Sequence, residues 1–317
     1  MRTSSESLPP VPPILTGTRI EMAHRVSQFL LSHPFVGAGL LASGIAKILM
    51  PPQLGRVRIR TAYGFELLVN PSADFGVQRP LYLFGTYEGS TLKLIRHCLR
   101  PGDTFVDVGS NIGLMSVLAS RVVGPKGTVY SFEPEPGLHK QLLENLGINQ
   151  SDNVHPFPFA IGSARAKSEL YLDSRNMGHT SLMPPTLGST SGIGVEVRAL
   201  DELAISLNIR TMRMIKIDVE GWELEVLIGA RRVLGGEQAP IMSIECSRLH
   251  PLKGGTVEDL LEVIKATNDY SVFRWKRGIV GRLRLVPVHT ESDLPHDGNL
   301  CCFLPSHLAE VPRLLFS

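Results

Sequence analysis

An α/β fold with a largely parallel sheet is what this 317-residue sequence predicts, on three observations. Short apolar runs suited to buried strands alternate with segments of helical periodicity, and that alternation covers a parallel sheet with helices on both faces. Hydrophobic residues make up 43% of the chain and charged residues 20%, enough apolar surface for one large core plus an added segment, or for two small domains. Two of the apolar runs also end in glycine turns next to acids, and the carboxyl ends of parallel strands are where such sheets hold ligands.

The elements follow in order. TFVDVG (104–109) reads as a buried strand and IGLMSVLASRVV (112–123) as a helix apolar on most sides. GTVYSFEP (127–134) is a second strand. PGLHKQLLENLGIN (136–149) is a helix with Leu138, Leu142, Leu143 and Leu146 on one face. VHPFPFAIG (154–162) is a third, irregular strand. SELYLD (168–173) and VEVRAL (195–200) are strands that bracket residues 174–194, whose Gly, Ser, Thr and Pro content predicts a long loop. MRMIKIDVEG (212–221) is another buried strand. WELEVLIGARRVLGG (222–236) gives one helix with Trp222, Val226, Leu227, Ala230 and Leu234 at helical spacing, closed by Gly235. IMSIECS (241–247) is a strand, TVEDLLEVIKATN (256–268) a helix, and YSVFRW (270–275) and NLCCFLP (299–305) the last strands.

The first residues differ in kind. Four prolines among the first 13 residues predict an unstructured arm. Residues Val26 to Ala46 lack Asp, Glu, Lys and Arg, a length that could span a bilayer, but Gln28, Ser32, His33 and Pro34 interrupt it. A pair of helices packed on the main domain is the favoured expectation. Contact of residues 26–50 with a membrane surface is the less favoured one. The expected division is an arm with a helical extension over 1–56 and a single domain over 57–317. A net charge of +2 without basic runs argues against a nucleic-acid partner. Four cysteines without a CxxC pair argue against structural zinc and a disulfide framework, so a reducing, cytoplasmic setting is expected.

The strand ends carry the chemistry. The first ends in Asp107-x-Gly109-x-Asn111-x-Gly113, and the second in Glu133, 20 residues past Gly113. An acid at that distance is placed to bind ribose hydroxyls. The dinucleotide fingerprint GxGxxG aims helix amides at a pyrophosphate. Here the spacing is GxNxG, which suits a ligand with a ribose and no pyrophosphate. The competing reading is that Gly109 and Gly113 only let the helix pack on the strand.

FVDVGSNIG, FEP, FAIG, GHTSL, ALDEL and MIKIDVEGWELEVLIGA, in this order, resemble the FkbM-type methyltransferases over about residues 80–250. The resemblance implies a Rossmann-like class I fold with a mostly parallel seven-stranded sheet, and S-adenosylmethionine as cofactor. It also implies O-methylation of a hydroxyl on a sugar, a glycan or a natural product. Carried onto this chain, it places Asp107, Gly109, Asn111 and Gly113 at the methionine part of the cofactor and Glu133 at the ribose. Ala160 would stand at the adenine, and Glu88, in LFGTYEG, at the ammonium.

The reactive end is expected in Lys216-Ile-Asp218-Val-Glu220. Alternate residues of a strand point one way, so three charges would align in an apolar run. Asp218 is the first candidate for general base and cofactor contact, and His179 in the GHTSL loop the second. Lys216 is either part of the reactive group or a structural brace for the carboxylates. Asp218, Glu220 and Glu245 end neighbouring strands and carboxylates suit hard cations, but no spacing demands a metal, and none is expected. The NPPY-type motif of amine methylation is absent, which favours oxygen. A small-molecule N- or carboxyl-methyltransferase remains an alternative, as does a non-catalytic module of the same fold.

Overall fold

The computed structural model describes residues 12–15, 18–32, 38–51, 55–172, 180–182, 192–248, 252–277 and 283–316. Two helices come first, α1 (Thr18–Ser32) and α2 (Ala38–Leu49). A hairpin, β1 (Val57–Arg60) and β2 (Glu66–Val69), and two helices, α3 (Gln78–Phe84) and α4 (Gly89–Cys98), lead into the sheet. Then follow β3 (Thr104–Val108), α5 (Leu114–Val123), β4 (Thr128–Phe132), α6 (Pro136–Ile148), β5 (Val154–Phe157) and β6 (Ala160–Ile161). β7 (Ala166–Leu172), β8 (Thr180–Ser181), β9 (Gly192–Arg198), α7 (Leu200–Ser206) and β10 (Met214–Ile217) continue the chain. It closes with α8 (Glu223–Gly229), α9 (Arg231–Gly235), β11 (Ile241–Glu245), α10 (Val257–Thr267), β12 (Ser271–Arg277), β13 (Leu283–Pro287), β14 (Asn299–Phe303) and α11 (Pro305–Glu310).

The main sheet runs β13-β12-β14-β11-β10-β3-β4-β5. From β11 to β5 every neighbouring pair is parallel, whereas β14, β12 and β13 are joined antiparallel. The Rossmann-like α/β architecture is thus as expected, but the sheet has eight strands and not seven. The extra one is β13, which forms a hairpin with β12; only Leu285 of its five residues is buried, too short an apolar signal to read as a strand. The central strands are buried on both sides, and their alternate residues feed two cores. Val106, Val108, Ile215 and Ile217 join one, Phe105 and Met214 the other.

Other boundaries also differ from expectation. VHPFPFAIG divides into β5, an edge strand of the main sheet, and β6, which pairs with β9 in a separate four-stranded sheet. Proline lacks the ladder donor and is confined to edges, so Pro156 sits on one and Pro158 falls between the two strands. The helix after Trp222 breaks at Ala230, and Leu143 is 46% exposed instead of facing the core. Strand β10 stops at Ile217, so Asp218 and Glu220 belong to the turn that follows it.

Helices α1 and α2 pack on each other and on α3. His24 Nε2 meets the Tyr82 carbonyl at 2.8 Å, and Gln28 Nε2 donates to Phe84 O at 2.9 Å. Among the described residues no helix is long and apolar enough to cross a membrane.

Candidate active site

Two turns at the carboxyl ends of adjacent strands, β3 and β10, border a cavity of about 320 Å³. After β3 the chain turns through three residues of positive φ: Gly109 (77°), Asn111 (48°) and Gly113 (90°). Asparagine is among the few side chains that tolerate this region, which is why it stands where a dinucleotide loop carries glycine. The turn frees the Asn111 amide, which donates to Glu133 Oε2 at 2.7 Å, while Glu133 Oε1 accepts from the Glu135 amide at 3.0 Å. Burial pushes the Glu133 carboxyl up to about 7, against those two hydrogen bonds.

The two glycines answer to packing. A Cβ on Gly109 would lie 1.8 Å from the Asp218 carbonyl oxygen, and one on Gly113 would lie 2.6 Å from Leu142 Cδ1. Gly109 therefore joins the two turns, and Gly113 seats α6 against the start of α5.

The second turn carries charge. Lys216 Nζ lies 3.2 Å from Asp218 Oδ2, 3.8 Å from Asp107 Oδ1 and 3.1 Å from the Gly109 carbonyl. Asp107, with no exposed surface, also accepts from Ser116 Oγ at 2.6 Å. One ammonium thus ties β10 to β3 and holds one oxygen of Asp218. Burial opposes its charge, yet Asp218, Asp107 and Glu88 around it raise the Lys216 pKa above the ordinary value. Glu220 takes a left-handed conformation, φ 53°, and Gly221 follows at 98°. Buried Glu223 fixes this bend, accepting from the Val219 amide at 3.0 Å and the Gly221 amide at 3.0 Å. The expectation that Lys216, Asp218 and Glu220 align along one strand is corrected: the first two meet, and Glu220 reaches the cavity wall from the bend.

Carboxylates outnumber cations here. Oxygens of Asp218, Glu220 and Glu245 lie within 4.8 Å of one another. Burial first, then Asp218, Glu220 and Glu223, raise the Glu245 carboxyl up to about 12; burial and Asp218 likewise raise Glu88. Lys216 is the one Lys or Arg on the cavity wall among the described residues.

Of the residues singled out from sequence, Glu88, Gly109, Asn111, Glu133, Ala160, Lys216 and Asp218 line the cavity. Asp107 and Gly113 stand behind its wall, and His179 lies outside the described residues. Sequence reading missed Ser110, Tyr87 and Trp222 on the wall, and Glu223 behind it. Ser110 sits inside the GSN turn and Tyr87 directly before Glu88, so both were within motifs already in view. The wall fits a nucleoside with a charged tail. Ser110 Oγ, Glu88 Oε2 and Glu245 Oε2 are buried without a hydrogen-bond partner, while Phe132, Ala160 and Leu114 supply an apolar side.

The model of the methyltransferase FkbM domain family matches residues 107–272. The chain is 24% identical over 194 residues to methyltransferase 1 of Beauveria bassiana, a match covering 54% of this chain and 74% of that one. It is 28% identical over 165 residues to the hexuronic acid methyltransferase AglP of Haloferax volcanii, covering 50% of this chain and 62%, less than two thirds, of that protein. Among solved structures, a SAM-dependent methyltransferase from Agrobacterium tumefaciens aligns with TM-score 0.44 and 10% identity, over 80% of this chain and 72% of the other.

Proposed function

The chain belongs to the FkbM methyltransferase family, an S-adenosylmethionine-dependent enzyme, and we propose that it methylates a hydroxyl oxygen on a sugar, glycan or natural-product acceptor. The bound cofactor supplies an electrophilic methyl group on its sulfonium. The chain's residues divide the remaining work. Glu133 is the ribose ligand: its two oxygens are already oriented by the Asn111 and Glu135 amides, with lone pairs left for a diol. Gly109 and Asn111 border the methionine part, Ala160 the adenine, and Glu88 takes the ammonium. Asp107 and Gly113 act from behind, through Lys216 and through α6.

Asp218 is the proton acceptor. Its Oδ2 is held 3.2 Å from Lys216, which fixes the carboxylate on the cavity wall where an acceptor hydroxyl can reach it, and this is the observation that carries the reading. Lys216 is a positioning residue whose charge is occupied by Asp107, Asp218 and Gly109 O. His179 is the alternative base. Asp218→Asn is expected to keep cofactor affinity and to lose roughly 10²- to 10⁴-fold in methyl transfer, read as S-adenosylhomocysteine release against a panel of sugar hydroxyls. Undiminished release would move the base to His179, tested by His179→Ala.

A carboxylate acceptor is the second reading, favoured by the sugar-acid substrate named for the Haloferax relative. Asp218 and Glu220 together on this wall disfavour an anionic acceptor and favour the hydroxyl. The products decide: an ether survives mild alkali and a methyl ester does not. The four cysteines are buried and free, which supports a reducing, cytoplasmic setting. The seating of α1 and α2 on α3 supports reading 1–56 as an extension of a domain over 57–317.

A further inference from the structure

Ten large apolar side chains are conspicuously exposed among the described residues, and five of them fall on the two N-terminal helices. They are Met22 (48%) and Phe29 (61%) on α1, and Leu40 (83%), Leu41 (47%) and Ile48 (73%) on α2. Each set recurs at helical spacing, seven residues apart on α1 and eight on α2, so each helix shows one apolar stripe outward. The inner stripes, Ala23 and Ser27 on α1 and Ala42 and Ala46 on α2, are fully buried. The pair is therefore seated on the domain by one face and exposes apolar side chains on the other.

Charge placement says what covers it. Val26 to Ala46 carries no Asp, Glu, Lys or Arg, and the residues that bound this stretch are cations, Arg25 and Lys47, both exposed. Ser27 Oγ donates to Ala42 O at 3.5 Å, which sets the antiparallel register. In that register Phe29 lies level with Leu40, and Arg25 and Lys47 lie together at the other end. The outer face is thus a charge-free apolar end with a cationic collar. From Arg25 to Ser32, α1 advances about 10 Å, far short of the roughly 30 Å of a bilayer core, so the pair can rest on a membrane surface and not cross it.

We propose that the outer face of α1 and α2 docks on an anionic membrane surface, with Phe29, Leu40 and Leu41 among the acyl chains and Arg25 and Lys47 at the headgroups. A second copy fits less well. A two-fold contact with the helix pairs parallel would bring both copies' Arg25 and Lys47 together, with Glu21 as the one exposed acid of α1 to offset them, and one with the pairs antiparallel would set each cationic end against the other copy's apolar end. Long cationic side chains at the edge of an apolar face are instead neutralised by anionic lipid.

The test is co-sedimentation of the full chain with phosphatidylcholine vesicles, with and without phosphatidylglycerol. The chain is expected to pellet with the anionic vesicles and to release as salt is raised. Leu40→Glu and Phe29→Glu should each weaken pelleting about tenfold or more, and Arg25→Ser with Lys47→Ser should remove the preference for anionic lipid. S-adenosylmethionine calorimetry on the same variants checks folding, since none of these residues borders the cavity. Failure to pellet with anionic vesicles would overturn the proposal, as would pelleting indifferent to Leu40→Glu. So would a dimer, seen by light scattering, that Leu40→Glu dissolves.

Discussion

The turns after β3 and β10 are built on one plan and present different chemistry. Each leaves a buried parallel strand, bends through residues of positive φ, and is clamped by one buried carboxylate that accepts from its backbone: Glu133 from the Asn111 amide in the first, Glu223 from the Val219 and Gly221 amides in the second. In the first turn the clamp itself faces the cavity, and the turn adds backbone and the side chains of Ser110 and Asn111. In the second the clamp stays behind the wall, and the turn pushes the acids Asp218 and Glu220 forward. Backbone geometry is thus supplied twice by the same device. One turn is left to present backbone, hydroxyl and amide groups to a ligand, while the other concentrates charge where a proton must move. On the proposed reading these are the cofactor side and the reactive side.

Substitutions that break one turn, both, or neither sharpen this contrast. The largest loss of stability is expected where the turns touch. Gly109→Ala puts a Cβ 1.8 Å from the Asp218 carbonyl at a φ of 77°, so both turns must move. A loss of more than about 3 kcal/mol is expected, read by thermal denaturation; a melting temperature near that of the unaltered protein would show that the turns are not in contact. Glu223→Ala comes next. It leaves the Val219 and Gly221 amides unsatisfied, at about 1–3 kcal/mol each, and should expose both to hydrogen exchange while the Asn111 amide stays protected. Loss of protection in both turns would mean that they are a single unit.

A further effect has the opposite sign. The folded protein raises the Glu245 carboxyl from 4.5 to about 12, through burial and its acidic neighbours. The folded state then binds the proton more tightly than the unfolded one, so this group costs stability as pH rises above 4.5. Glu245→Gln removes that cost. Without ligand, the variant should melt higher than the parent at neutral pH, and the gain should vanish below pH 4.5. A gain that does not change with pH would mean that packing, not charge, is responsible.

Most of the central sheet was legible because buried parallel strands read as unbroken apolar runs, and FVDV and MIKI have few alternatives. The antiparallel edge was less so: β13 buries one side chain of five. The turns were legible as motifs but not as objects. Nothing local in GSNIG says that the partner of Gly113 is Leu142, or that Gly109 meets the backbone of Asp218, because these contacts join segments remote in sequence. Reading Lys216, Asp218 and Glu220 as one face of a strand failed for a physical reason. Glu220 and Gly221 take positive φ, and a strand cannot continue through them. Glu223, which holds that bend, reads in sequence as an ordinary acid in a helix's first turn.

The division of labour between the two turns rests most directly on what Glu133 binds. Calorimetric titration of S-adenosylmethionine into the unaltered protein and into Glu133→Ala measures it. One site per chain is expected, weakened roughly ten- to hundredfold by the loss of charged hydrogen bonds, with Asp218→Asn binding as the parent does. Equal affinity in Glu133→Ala, or a loss in Asp218→Asn as large as that in Glu133→Ala, would contradict the assignment of the β3 turn to the cofactor.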